Sequence, residues 1–502
     1  MRRPPQKSRA IDTRSVLFCS ARWYCLTAFY VWNLPCPHYT AERALLCRYS
    51  YDLGGGQGRL TRGGSVLDRN VPQPWAARTT LVLTLTLVAI ALGNLQRMPF
   101  LLGEHGGAVF FLLYLLALCL LSVPLLIAEV VVGSYGRASP HRAMEWAASA
   151  ANANPRWRFL GLAQGLLGLL VAAIAALFAV WCFDRALVIH SGAMASGSPA
   201  EVAGNFVSAM SDRAGQFIKA LMGLAAAGAL SAMGIRLGMG VLAWIVLPGV
   251  AITLLGVLEF VALQTDLQPV TAFLFSYDGS QWGIEAAKQA LISAGVTLGA
   301  GLGVAMALGA QAPQNLPWAR SVIAVAILDT AFLFVTAIIA SALLFEVNVA
   351  PSEGLAAVFV ALPYAFVNVP MGELYGTLFF SAMAAISWSA AVILMEPTVL
   401  LFERAVGRLG AAILAATLAV LLASMLLFSS DTTLVQVSAM LGEWLLPLSL
   451  LAMALFVGWQ LPRPILRGEL YREPRWLFRL WWWVMRWMVP PVCVAWLVSG
   501  VI

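Results

Sequence analysis

The chain has 502 residues, of which 61% are hydrophobic and only 11% charged, and its mean hydropathy is +0.83. Soluble domains carry about a quarter charged residues, so this composition excludes a string of ordinary soluble domains and points to a chain built for lipid. The formal net charge of +7 does not argue for nucleic acid, because the basic residues divide by membrane side and do not gather on one binding face.

Residues 1–74 read as a disordered or spurious N-terminal extension, with translation upstream of the true start as one origin. The first 78 residues hold twelve of the 31 Lys+Arg and four of the seven cysteines, Cys19, Cys25, Cys36 and Cys47. The apolar stretch Trp23–Leu34 is too short to span a bilayer, and no small-residue cleavage site follows it. A cysteine-rich sensing module is the alternative, although the cysteines show neither metal-ligand pairing nor an even disulfide framework.

From residue 75 onward, apolar segments long enough to span a bilayer occur near 80–101, 108–132, 160–188, 215–233, 238–262, 284–308, 319–346, 372–402, 410–428, 433–458 and 480–500. That predicts an all-α membrane protein with eleven transmembrane helices. With a cytoplasmic N-terminus, the inside loops carry thirteen arginines, from Arg137 and Arg142 to Arg475 and Arg479, against little beyond Arg213 outside. This positive-inside bias places the chain in the cell inner (plasma) membrane as a multi-pass protein with its C-terminus outside. The run Trp481, Trp482, Trp483 beside Arg479 and Arg486 reads as an interfacial aromatic anchor.

Two of these segments are interrupted. In the first, Ala91-Leu-Gly-Asn-Leu-Gln-Arg-Met-Pro-Phe100 sets Gly93, Asn94, Arg97 and Pro99 into an apolar run. Unpaired backbone groups in hydrocarbon cost several kcal/mol each, so irregular backbone persists there only around a cavity or a bound species. In the sixth, Ser293-Ala-Gly-Val-Thr-Leu-Gly-Ala-Gly-Leu-Gly303 places four glycines and two hydroxyls at mid-span. Glycine also marks tight helix–helix packing. These two segments nevertheless head two groups of five, and matched interruptions in two halves are the sign of an inverted-repeat transporter.

The motifs Gly93-Asn-Leu-Gln-Arg-Met-Pro99, Glu104-His-Gly-Gly-Ala-Val-Phe110, Tyr114, Pro124-Leu-Leu-Ile-Ala-Glu129 and Gly133-Ser-Tyr-Gly136 resemble the first two spans of the neurotransmitter:sodium symporter family, in its bacterial eleven-span branch. Met395-Glu-Pro397, Leu445-Leu-Pro447 and Phe456-Val-Gly-Trp459 extend the likeness towards the C-terminus. The resemblance implies a LeuT-type 5+5 inverted repeat with broken first and sixth helices. The activity it implies is sodium-coupled symport of a small organic solute, an amino acid or an amine, by alternating access.

Carried over residue by residue, the resemblance implies a first sodium site made of Ala89, Asn94, Ser293 and Asp329. A second would use Leu87, Ile90, Ile386 and Ser389. Sodium is a hard cation that takes oxygen ligands, which broken helices supply. The substrate would lie against Ala89, Leu92, Gly93, Ala175, Ile292, Ser293 and Gly295, with Arg97 as outer gate. An anion region would comprise Tyr114, Gln289 and Asp329.

The chain also departs from the family. Registered on Trp181, the tyrosine that holds the substrate carboxylate is Ala175, and the aromatic lid is Ile292. The second hydroxyl of the second sodium site is Ala390. The gating aspartate of the tenth span falls on Ser438, with Glu443 more than a turn away, and the aspartate of the cytoplasmic lock reads Arg404. These changes imply a roomier pocket or a weakened second site. At the charge position Leu333 replaces the glutamate of chloride-independent relatives, while the asparagine ligand has become Asp329. The fixed charge is thereby expected on the ligand itself, so one or two sodium ions are expected and chloride is not.

A non-transporting ligand-binding sensor or interaction protein derived from the same fold is the alternative. A membrane enzyme is disfavoured because His38, His105, His141 and His190 fall on different segments with no metal-ligand cluster. The implied partners are the small-molecule substrate, sodium and membrane lipid, with no nucleic acid; the oligomeric state is left open.

Overall fold

The computed structural model describes residues 77–499 except 92–97, 99, 103, 106, 193–197, 276–282, 314–315, 350–353 and 430–431. The expected extension 1–74, and Leu92, Gly93, Asn94 and Arg97 of the expected site, lie outside the described residues. Every regular element among the described residues is helical. These are α1 (Arg78–Ala91), α2 (Ala108–Gly136), α3 (Pro140–Ala150), α4 (Arg158–His190), α5 (Pro199–Ser211), α6 (Arg213–Ala232), α7 (Ile235–Gln264) and α8 (Leu267–Leu274). They continue with α9 (Ile284–Thr297), α10 (Val304–Gln311), α11 (Trp318–Glu346), α12 (Ala357–Val367), α13 (Gly372–Leu394), α14 (Glu396–Phe428), α15 (Thr433–Gln460), α16 (Arg463–Glu469) and α17 (475–499).

Among the described residues, eight helices are long and apolar enough to cross a membrane: α2, α4 (counted from Pro155), α6, α7, α11, α13, α14 and α15. The remaining three expected segments differ. The first is described as α1 and a few residues from Met98 onward, the sixth is divided into α9 and α10, and α17 carries Arg475, Arg479 and Arg486. The eighth segment, expected to run to residue 402, ends at Leu394. Met395 breaks the run, and Pro397 sits in the first turn of α14, where its missing N–H costs nothing. Gly407, at φ 73° and ψ 169°, kinks α14 before its apolar part.

Small residues decide how the bundle closes. A Cβ on Gly133 of α2 would collide with the Met306 carbonyl, and one on Gly309 of α10 with the Val130 carbonyl. These two helices therefore meet backbone to backbone, the geometry that small residues permit where lipid supplies no hydrophobic drive. On α4, Gly161 and Gly168 touch Pro140 and Leu302 in the same way. Helix α13 lies along α4 and also packs on α1. The result gathers α1, α4, α9, α11, α13 and α15 around one cavity.

Candidate substrate and ion site

The site begins where α9 stops. Leu298–Gly303 leave helical geometry, with Gly299, Gly301 and Gly303 at φ 68°, 85° and 69°. Left-handed backbone of this kind is costly for any residue with a Cβ. At Gly301 an added Cβ would also press on Leu446, Leu450 and Ser449. The freed backbone groups are taken up by side chains. The Gly301 N–H donates to Glu129 Oε1 at 2.6 Å, and its carbonyl accepts from Ser449 Oγ at 2.9 Å. Gln164 Nε2 in turn donates to Ser449 Oγ at 3.1 Å. Glu129 is fully buried, so α2, α4 and α15 together hold the break open without leaving its amide unpaired.

Beside the break lies a cluster of oxygens. Thr297 Oγ1 donates to Asp329 Oδ2 at 2.8 Å, and the buried Tyr114 hydroxyl lies beside both. Ser293, one turn before Thr297 on the same face of α9, is buried, and its hydroxyl has no hydrogen-bond partner. An orphaned buried hydroxyl costs free energy unless a ligand satisfies it. Asp329 is 3% exposed, with no ion-pair partner among the described residues.

Ser293 and Asp329 both line a cavity of about 610 Å³. Of the residues expected at the site, Ile90, Ala175, Ile292 and Ile386 line it too, although they come from four helices and nearly 300 residues of sequence. Leu87 and Ala89 are buried on α1, whose described part ends at Ala91 on the cavity wall. Ser389 is buried on α13 and donates to the Ala385 carbonyl at 2.6 Å, which leaves its oxygen lone pairs available. The remaining wall is mostly apolar, with Phe178, Trp181, Phe332 and Met383 prominent. Ser438 and Glu443 of α15 also face the cavity.

Two expected residues sit elsewhere. Gly295 is buried on another face of α9, where a Cβ would overlap the ring of Trp496 from α17. Gln289 lies two turns before Thr297 and donates to Glu285 of its own helix at 2.7 Å. Two functional groups escaped the sequence reading. Thr297 was visible only as one hydroxyl in a glycine-rich run. The other is a lock in which Arg408 donates to both oxygens of Glu396 at 2.7 Å and 2.7 Å, and Gln311 Nε2 to Oε1 at 2.9 Å. Arg404, at the aspartate position of the family's lock, is exposed.

The known proteins that this chain resembles are transporters. The sodium:neurotransmitter symporter family model matches residues 72–184. The chain is similar to the uncharacterized sodium-dependent transporter YhdH of Bacillus subtilis, 24% identical over 65% of this chain and 71% of the relative. It is also similar to an uncharacterized sodium-dependent transporter of Haemophilus influenzae, 23% identical over 64% of this chain and 72% of that protein. Among solved structures it resembles the crystal structure of MhsT in complex with L-phenylalanine, with a TM-score of 0.76, 25% identity, and coverage of 85% of this chain and 99% of that one. The matching family model and the matching fold are those of membrane transporters rather than enzymes.

Proposed function

We propose, since the chain belongs to the sodium:neurotransmitter symporter family, that it is a sodium-coupled symporter of a small organic solute, an amino acid or an amine. The observation that carries this reading is the convergence of Ser293, Thr297 and Asp329 oxygens beside a helix break and a cavity of about 610 Å³. A cavity of that size accepts a solute of amino-acid dimensions with room to spare. The L-phenylalanine bound to MhsT makes a hydrophobic amino acid the first candidate. The apolar wall suits such a side chain, and the loss of the tyrosine at Ala175 and the lid at Ile292 leaves space for a bulky one.

In the finer reading, eleven spans form a 5+5 inverted repeat, with the N-terminus cytoplasmic and the C-terminus outside. Alternating access then moves the α1/α9 pair against its surroundings. Sodium in a first site takes Ala89, Asn94, Ser293 and Asp329, and a second uses Leu87, Ile90, Ile386 and Ser389. Thr297 positions the Asp329 carboxylate. Because that carboxylate offsets the cation directly in a low-dielectric site, chloride is not required. Protons compete with sodium for the same oxygens, so binding weakens as pH falls.

The test is thermal stabilisation of the purified protein in sodium against potassium, across L-phenylalanine, other hydrophobic amino acids and amines. The reading expects a sodium-dependent shift in the melting temperature for at least one solute, unchanged by chloride removal, and its loss in Asn94→Leu. Equal stabilisation in potassium would overturn sodium coupling, and an absolute need for chloride would overturn the role given to Asp329.

A further inference from the structure

Six arginines, Arg463, Arg467, Arg472, Arg475, Arg479 and Arg486, fall within the loop and helix that lead into the last span. The acids of that segment are engaged elsewhere. Glu469 Oε2 accepts from Ser134 at 2.6 Å, and the buried Glu473 faces Arg320 at 3.4 Å. Arg463, Arg472, Arg475 and Arg479 are exposed, and no carboxylate pairs with them among the described residues.

The first turns of α17 separate two parallel rows. Arg475 and Arg479 are one turn apart, and beside them Trp476, Leu480 and Trp483 stand 61%, 52% and 46% exposed. Two guanidinium groups lie over indole rings. Arg463 lies 3.6 Å over the Trp482 ring, and Arg486 lies 4.4 Å from Trp459 and 5.1 Å from Trp482. A guanidinium over an indole face is attracted through the ring's π-face, and its N–H groups not engaged by the protein match the oxygens of a phosphate.

We propose that this surface binds the anionic headgroups of phospholipids, the arginines taking the phosphodiester and the tryptophans seating at headgroup depth. The exposed indole row, continuous with a helix that enters the bilayer, favours a lipid surface over a soluble polyanion. The same segment touches the transport bundle directly, because Trp481 Nε1 donates to the Pro124 carbonyl of α2 at 3.0 Å and Glu469 accepts from Ser134 of α2 at 2.6 Å. Bound headgroups would therefore brace α2.

The full chain is purified from micelles containing equal phosphatidylglycerol and phosphatidylcholine, and retained lipid is counted by native mass spectrometry. Phosphatidylglycerol should be retained in preference, and Arg475→Gln/Arg479→Gln should lower that preference roughly tenfold. Arg142→Gln/Arg156→Gln, which removes two exposed arginines elsewhere, should leave it unchanged. Equal retention of the two lipids, or an unchanged preference in the Arg475/Arg479 variant, overturns the proposal. Displacement of the lipid by excess inorganic phosphate would assign the site to free phosphate and overturn it as well. If that variant is not monodisperse, a salt titration of the wild type decides: a preference that falls with salt supports the proposal, and one that does not refutes it.

Discussion

Two buried carboxylates, Asp329 and Glu396, are met in opposite ways. Glu396 has its charge balanced within the protein by the bidentate Arg408, with Gln311 on one of its oxygens. Among the described residues Asp329 has no counter-charge, with the Thr297 and Tyr114 hydroxyls beside it, and it opens on a cavity. A buried charge that lacks a partner is expensive, so the second arrangement suits a cation that arrives and leaves, whereas the first suits a joint that stays closed. The difference separates a site from a clasp by physics alone.

The sharpest way to break the comparison is to unbalance the clasp. Glu396→Gln takes the buried carboxylate from Arg408 and leaves it Glu403 at 3.6 Å and the Ser231 carbonyl, so the cost lies at or below the ~3–5 kcal/mol of a fully broken buried pair. A large fall in melting temperature is expected, with the sodium concentration for half-maximal stabilisation unaltered; a changed sodium response with normal stability would merge the two carboxylates into one function. Next is Asp329→Asn, which removes the charge but keeps the shape. Removing one member of a close charge pair costs about 2–5 kcal/mol, so sodium affinity should drop at least thirtyfold or return only with added chloride. Wild-type sodium binding should also weaken between neutral and acidic pH, and the variant should lose that slope. Unchanged sodium and pH dependence in the variant would remove the cation from Asp329.

Thr297→Val sharpens the comparison further. It deletes a hydrogen bond to a charged group, worth about 1.5–3 kcal/mol, while Ser293 and the backbone break remain. Sodium titration of this variant should show weakened binding with insertion intact; full wild-type affinity would make Thr297 a packing residue. The smallest effect is expected from a chain starting at Asn70, which keeps every residue of both carboxylate sites. Its melting curve and sodium response should match those of the full chain, and a loss of either would make the first 69 residues structural.

The sequence pointed to the broken sixth helix through its match with the interrupted first span, because glycine and hydroxyl residues at mid-span also serve tight helix packing. Ser293, Asp329, Ile90 and Ile386 could be named through family register, and all four face one cavity. What it hid were partnerships across long separations. Glu129 stood in a recognised motif, but its bond to the Gly301 amide joins residues 172 apart and leaves no local pattern. Glu396 likewise appeared in Met395-Glu-Pro397 without a partner, because register directed attention to Arg404 while the counter-charge sat one turn further, at Arg408. Gly295 shows the reverse: the family resemblance set it beside the substrate, whereas in the folded chain the indole of Trp496 lies against it.

That indole has a mechanical consequence. Gly295 lies between Ser293 and Thr297 on α9, and Trp496 fills the space where its side chain would be, like a tooth in a notch. Helix α9 cannot rotate or slide by a turn without driving the ring out of that notch. The half-helix that carries the two hydroxyls is thus seated against α17, and any displacement of α9 has to carry that ring along or release it.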